Sequence, residues 1–91
     1  MKYEFKPSFE RSIKRLETNR KEKIKEAVLN TVNFFEKHIK PRSLGLKHLR
    51  CDYWEIRTGI KDRIIFRLNN GIVEFVLAGS HSDIKNFLKN I

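Results

Sequence analysis

The chain has 91 residues, with 20 Lys or Arg against 11 Asp or Glu and a formal net charge of +9. That length suits one domain with one modest core, and no apolar run approaches the roughly 20 residues that a membrane-spanning helix needs. Its only cysteine, Cys51, excludes an internal disulfide or a thiolate metal cluster, and the basic excess points to a polyanionic partner held in a salt-sensitive way.

A single domain over residues 1–91 is expected, with no signal peptide and a reducing cytoplasm as its location. Cys51 then reads as a small strand residue rather than a nucleophile. Residues 2–6 alternate with Tyr3 and Phe5 on one side, as a short strand does. Pro7 suits the first turn of a helix, in which Phe9, Ile13 and Leu16 recur at helical spacing. Thr18-Asn19 marks a break and a fresh cap. A longer helix follows, with Ile24, Ala27, Val28, Val32, Phe35 and Ile39 on one stripe. It must end before Pro41, because a proline displaces the residue before it, Lys40, from the α region. The two helices make a hairpin whose apolar faces need the sheet as cover.

Residues 37–51 hold five Lys or Arg, two His and no acid. This run reads as a loop, either simply solvated or placed to contact a phosphate backbone. Residues 53–58 alternate as a strand, with Trp54 and Ile56 on one face and Tyr53, Glu55 and Arg57 on the other. The next strand sets Ile64, Phe66 and Leu68 against Arg63, Ile65 and Arg67. Asn70-Gly71 is a strong signal for a two-residue type I′ hairpin turn. It predicts the pairs Asn69–Ile72, Leu68–Val73, Arg67–Glu74 and Phe66–Phe75, with Arg63 opposite Ala78. On that register Phe66, Leu68, Val73, Phe75 and Leu77 face the helices. Arg63, Arg67, Glu74, Val76 and Ala78 form an opposite face left open. Ser80 or Ser82 can cap a closing helix with Asp83 in its first turn, and Ile84, Phe87, Leu88 and Ile91 form its apolar stripe. The expected fold is α+β, ordered β-α-α-β-β-β-α, an antiparallel sheet of about four strands with the helical hairpin on one face.

No Gly-rich phosphate loop or metal-ligand spacing appears, and His38, His48 and His81 are scattered, so no metal or cofactor is expected. The chemistry that fits a basic open face is metal-free RNA cleavage, in which RNA's own 2′-OH attacks the adjacent phosphate. The protein must help that hydroxyl lose its proton, stabilise the phosphorane and protonate the leaving 5′ oxygen. Glu55 is a candidate base, with a cross-strand ion pair as its plainer role. Arg57 and Arg63 are candidates for bidentate phosphate contact. Arg63 is preferred, because opposite Ala78 it has no evident ion-pair partner on the hairpin. Arg67, across from Glu74, reads first as a structural ion pair. His81 is a candidate general acid or a residue of a capping turn. Phe87 stacks on a base or, as its stripe suggests, packs in the core. Lys47, His48, Arg50, Arg67 and Lys85 are the further candidate RNA and phosphate contacts.

The element order, the Leu46-Lys47-His48 stretch, the YWEIR and DRIIFRL strands and the closing AGSHSDI resemble the RelE/ParE superfamily of bacterial and archaeal toxins, over essentially the whole chain. The resemblance implies the toxin of a type II toxin–antitoxin pair, a ribosome-dependent mRNA endonuclease neutralised by a small, wrapping antitoxin. The expected partners are that antitoxin, in a hetero-oligomer, the ribosome and mRNA, with no membrane. By position Arg63 matches the family's phosphate-stabilising arginine and His81 the histidine that some members use as general acid. Glu55 and Arg57 fall where others carry active-site residues, and Lys47 and His48 match a basic stretch lining the site. Leu44 stands where some members have a glutamate base, and Phe87 is the nearest aromatic to the missing C-terminal tyrosine. A gyrase inhibitor of the ParE kind and a degenerate toxin that only binds its antitoxin are the alternatives.

Overall fold

Residues 1–38 and 45–91 are described by a computed structural model. Ile39, Lys40, Pro41 and Leu44, which the sequence reading used, lie outside the described residues. The elements run β1 (Lys2–Phe5), α1 (Pro7–Lys14), α2 (Thr18–Lys37), β2 (Lys47–Arg50), β3 (Tyr53–Arg57), β4 (Asp62–Asn69), β5 (Ile72–Ser80) and α3 (His81–Lys89). They build one five-stranded sheet in the order β1-β5-β4-β3-β2. The expected four-stranded antiparallel sheet is corrected twice. β1 runs parallel to β5, so the sheet is mixed, and part of the basic run is an edge strand, β2. Alternation at residues 2–6 marks a strand without giving its direction. Lys47, His48 and Arg50 hide β2, because charged side chains are what an unpaired edge tolerates.

The β4–β5 hairpin turns on Asn70 and Gly71, both with positive φ (50° and 79°), as a type I′ turn requires and as few residues other than Asn and Gly accept. From the turn the pairs run Asn69–Ile72, Leu68–Val73, Arg67–Glu74 and Phe66–Phe75, as expected. Beyond them the register shifts: Ile65 meets Leu77, Ile64 meets Ala78 and Arg63 meets Gly79, not Ala78. Val76 is the extra residue of a β-bulge, which reverses the facing of everything after it. Ala78 therefore enters the core on the helical side, while Leu77 and Gly79 fall on the side assigned above to Val76 and Ala78.

The core lies between the sheet and the helical hairpin. Phe9, Ile24 and Ala27 from the helices meet Ile56, Ile64, Phe66, Val73, Phe75 and Ala78 from the strands. The rings of Phe5 and Phe75 stack at 5.1 Å and Phe35 meets Phe66 edge-on at 5.9 Å; full burial of one such side chain is worth about 2–3 kcal/mol. β1 pairs only with the first part of β5, and α1 takes over where it stops. Ser8 Oγ donates to the Val76 carbonyl at 2.5 Å, and the Ala78 amide donates to Ser12 Oγ at 3.0 Å. Two hydroxyls thus satisfy a strand edge that would otherwise be unpaired. α2 starts after Glu17, which is extended and makes no side-chain cap bond, rather than on a Thr18-Asn19 cap. It ends at His38 in the left-handed region, before Pro41 as expected. Arg20 clamps Asp62 at the start of β4 with Nε donating to Oδ2 at 2.8 Å and Nη2 to Oδ1.

The face opposite the hairpin is not wholly open. α3 lies on it, packed against β5 and β4, and Ile65 (0% exposed) and Ile84 (2% exposed) are buried outside the main cluster. Phe87 meets Tyr53 edge-on at 5.4 Å, a packing role. Of the two predicted caps, Ser80 is the one used. The Asp83 amide donates to Ser80 Oγ at 3.3 Å while the Ser80 amide donates to Asp83 Oδ2 at 2.9 Å, a reciprocal capping box. No described helix is long and apolar enough to cross a membrane.

Candidate functional site

Cross-strand pairing lays out the face that α3 shares as three rows. Arg57 faces Arg63, which faces Gly79. Lys47 faces Glu55, which faces Ile65, which faces Leu77. Arg50 faces Tyr53, which faces Arg67, which faces Glu74. Arg50 joins this face only because a second bulge, between His48 and Arg50, makes Leu49 the extra residue. α3 covers Ile65 and Leu77. Outside its cover the β2–β3 side of the sheet presents Arg57, Arg63, Lys47 and Arg50 as a strip, with Glu55 buried among them.

Helix geometry decides which α3 residues border the strip. Asp83 and Asn86 line a cavity shared with Ser12 of α1 and with Arg15 just after it, so that edge of α3 looks toward α1. His81, Lys85 and Leu88, at i, i+4 and i+7, form the opposite edge. Arg50 Nη1 donates to the Leu88 carbonyl at 3.4 Å on that edge. His81 and Lys85, both exposed, share that edge of α3 with Leu88.

The cations of the strip are not equivalent, and the expectation that Arg63 is unpartnered is corrected. Arg63 is not free: its Nη1 donates to Glu55 Oε2 at 3.0 Å, and Glu55 is only 4% exposed. Arg57, directly across from Arg63, has no carboxylate partner among the described residues. Two like charges opposite each other on a sheet repel, and Glu55 neutralises one of them from the next row. The Arg57 stem lies over Gly45, where a Cβ would stand 3.1 Å from both Cβ and Cγ of Arg57. Arg67 keeps its predicted structural role. Its Nη1 lies 3.5 Å from Glu74 Oε1, and Lys6 Nζ is 3.1 Å from Glu74 Oε2. Hydrogen bonding and charge from Glu74, in that order, hold the Lys6 ammonium above its usual pKa. On the alkaline side that pair is therefore lost only as pH rises past the raised value.

His48 is placed elsewhere. It faces Trp54 on the helical-hairpin side of the sheet, ring centroids 4.8 Å apart, and its Nε2 donates to the Cys51 carbonyl at 2.8 Å. It is not brought to the strip that holds Lys47. Cys51 is no strand residue: it lies exposed in the β2–β3 turn with φ 52°. The sequence reading missed Lys6 as a partner of Glu74, though its place one residue beyond the Tyr3/Phe5 alternation was a signal that it shares a face with Glu4.

A Glu55→Gln protein is expected to lose about 1.5–3 kcal/mol, the worth of a hydrogen bond to a charged group, seen as a lower Tm in thermal melts. Most of that loss should return in Glu55→Gln/Arg63→Gln, which removes both charges. A Tm unchanged in the single variant would show that the pair is ornamental to the fold.

The sequence matches no protein-family model and no curated protein. Solved structures do match. YafQ in the E. coli DinJ–YafQ toxin–antitoxin complex is similar with TM-score 0.73, at 16% identity over 90% of this chain and 93% of that one. The RelB–RelE antitoxin–toxin complex of Methanococcus jannaschii gives TM-score 0.70 at 19% identity, over 92% of this chain and 96% of that one. The YoeB/ParE toxin of Agrobacterium tumefaciens gives 0.65 at 19%, over 89% and 99%. With sequence this divergent the likeness is one of architecture, and in architecture the chain has the fold of the RelE-like toxins.

Proposed function

We propose that the chain is the toxin of a toxin–antitoxin pair and that the strip beside α3 cleaves ribosome-bound mRNA. The observation that carries this reading is the side-by-side placement of Arg57 and Arg63 on a sheet of RelE-like architecture. In this reading the 2′-hydroxyl gives its proton to solvent as its oxygen attacks the adjacent phosphorus, the P–O5′ bond breaks, and the products are a 2′,3′-cyclic phosphate and a 5′-hydroxyl. Arg63 and Arg57 bind the non-bridging oxygens, whose charge grows in the phosphorane; donors already fixed in place stabilise that charge without reorganising. His81 gives a proton to the departing 5′ oxygen. Glu55, buried and bonded to Arg63, orients the guanidinium and is poorly placed to take the 2′-OH proton. Lys47, Arg50 and Lys85 flank the strip for neighbouring phosphates.

The partner is an antitoxin with an acidic segment that lies along the same strip, so antitoxin and RNA compete. The similar toxins YafQ and RelE form complexes with DinJ and RelB. The chain is expected to arrest growth when expressed alone and to produce new mRNA 5′ ends on ribosomes. A His81→Ala protein should cut about 10²–10⁴-fold more slowly. Inhibition of purified gyrase by a chain that leaves mRNA intact would overturn the nuclease reading in favour of a gyrase-directed toxin.

A further inference from the structure

Arg57 borders a second feature that the cleavage reading does not use. Between α2 and the β3–β4 turn lies a pocket of about 420 Å³, lined by Lys23, Glu26 and Asn30 on one side and Arg57, Thr58 and Gly59 on the other. Thr58 is 7% exposed, and its hydroxyl has no hydrogen-bond partner. Neither Arg57 nor Glu26 is ion-paired among the described residues, although both line this pocket. The Lys23 arm crosses from α2 to the turn, its Nζ 3.8 Å from where a Cβ at Gly59 would stand.

We infer that this pocket takes one nucleotide of the RNA strand, next to the phosphate held by Arg57 and Arg63. The inference rests on the RNA reading above and adds to it a site for a flanking base. The lining is wrong for a bare anion, because Glu26 repels one. It suits a nucleotide, whose phosphate meets Lys23 and Arg57 while its base offers amino donors to Glu26 and a mixed edge to Asn30. The volume falls in the range of small-ligand sites. Arg57 belongs to both the strip and the pocket, so a strand that crosses one is delivered to the other.

Nucleoside 5′-monophosphates titrated into the full-length chain at low salt, followed by NMR, test the inference without relying on cleavage. Saturable shifts are expected at the Asn30 side-chain amide and the Thr58 and Gly59 backbone amides. Lys23→Ala and Asn30→Ala should each weaken binding about tenfold. Absence of shifts at those groups overturns the inference. So does inorganic phosphate reproducing them at equal ionic strength, which would make the pocket an anion hole. Cleavage assays separate the two readings. Nucleotide binding by a chain that cuts no mRNA removes the nuclease reading and leaves the pocket standing. A parent and both variants that cut with the same 5′-end spectrum, and show no shifts, remove the pocket and leave the nuclease.

Discussion

An Arg63→Ala protein is expected to cleave ribosome-bound mRNA about 10²–10³-fold more slowly than the parent, the usual loss for one preorganised donor to a developing oxyanion, and to permit growth when induced. The complication is that Arg63 also neutralises Glu55 at 3.0 Å. Removing the arginine alone leaves a buried carboxylate without its partner, a change that destabilises as well as disarms. The informative comparison is therefore Arg63→Ala in a Glu55→Gln background. That protein should melt closer to the parent than Arg63→Ala does, yet remain as slow. Arg63→Lys supplies the other control: it retains the charge for Glu55 and loses the planar fork that grips two phosphate oxygens, so it should fold well and cut poorly. Parent-like cutting by the folded double variant would falsify the assignment of Arg63 to the phosphate.

The same pair shows what could and could not be read from the residues. Asn70-Gly71 determines a turn, the turn determines a register, and four cross-strand pairs follow without further information. The bulge at Val76 was hidden because Val76, Leu77 and Ala78 are all apolar. An inserted residue in a run of three apolar side chains leaves no break in the pattern. That one residue moved Ala78 into the core and set Gly79 opposite Arg63. Glu55 was read by its own strand and face, correctly. Its bond to Arg63 runs diagonally between rows, and a register lists direct neighbours only. β2 was concealed by its charge and its own bulge, which also aimed Arg50 at Leu88. The covering of the second face by α3 did leave a trace. Ile65 sits between Arg63 and Arg67 on a face read as open, and an apolar residue amid arginines called for a lid that the Ile84/Phe87 stripe was available to supply.

Arg57 and Arg63 share one face of the sheet, as their alternation suggested, and Lys47 joins them there. Which arginine is held and which is unpartnered follows from packing. The unpartnered one, Arg57, is the better sensor of salt, since an exposed cation without a carboxylate exchanges a counterion for a phosphate directly. Antitoxin and RNA, both anionic in this reading, compete for it on equal physical terms.

A Gly79→Ala protein is expected to lose about 2–3 kcal/mol of stability, the sum of a modest overpacking cost and the partial loss of a helix cap. For a chain of this size that lowers Tm by roughly 10 °C or more, measurable by circular dichroism. The reason is space rather than backbone freedom. A Cβ on Gly79 would stand 2.6 Å from Asp83 Oδ2 and 3.0 Å from Asp83 Cβ. That carboxylate accepts from both the amide and the hydroxyl of Ser80, so it has no room to retreat without opening the capping box. α3, which carries His81 and Lys85, begins there, so in the nuclease reading proposed above cleavage should fall along with stability. A cycle with Asp83→Ala isolates the cause. If the clash is with Asp83, the double variant should be less destabilised than the two single losses added together. Strict additivity, or a Gly79→Ala protein that melts within about 2 °C of the parent, would show that α3 is anchored by Ile84 and Phe87 alone and that the cap merely decorates its start.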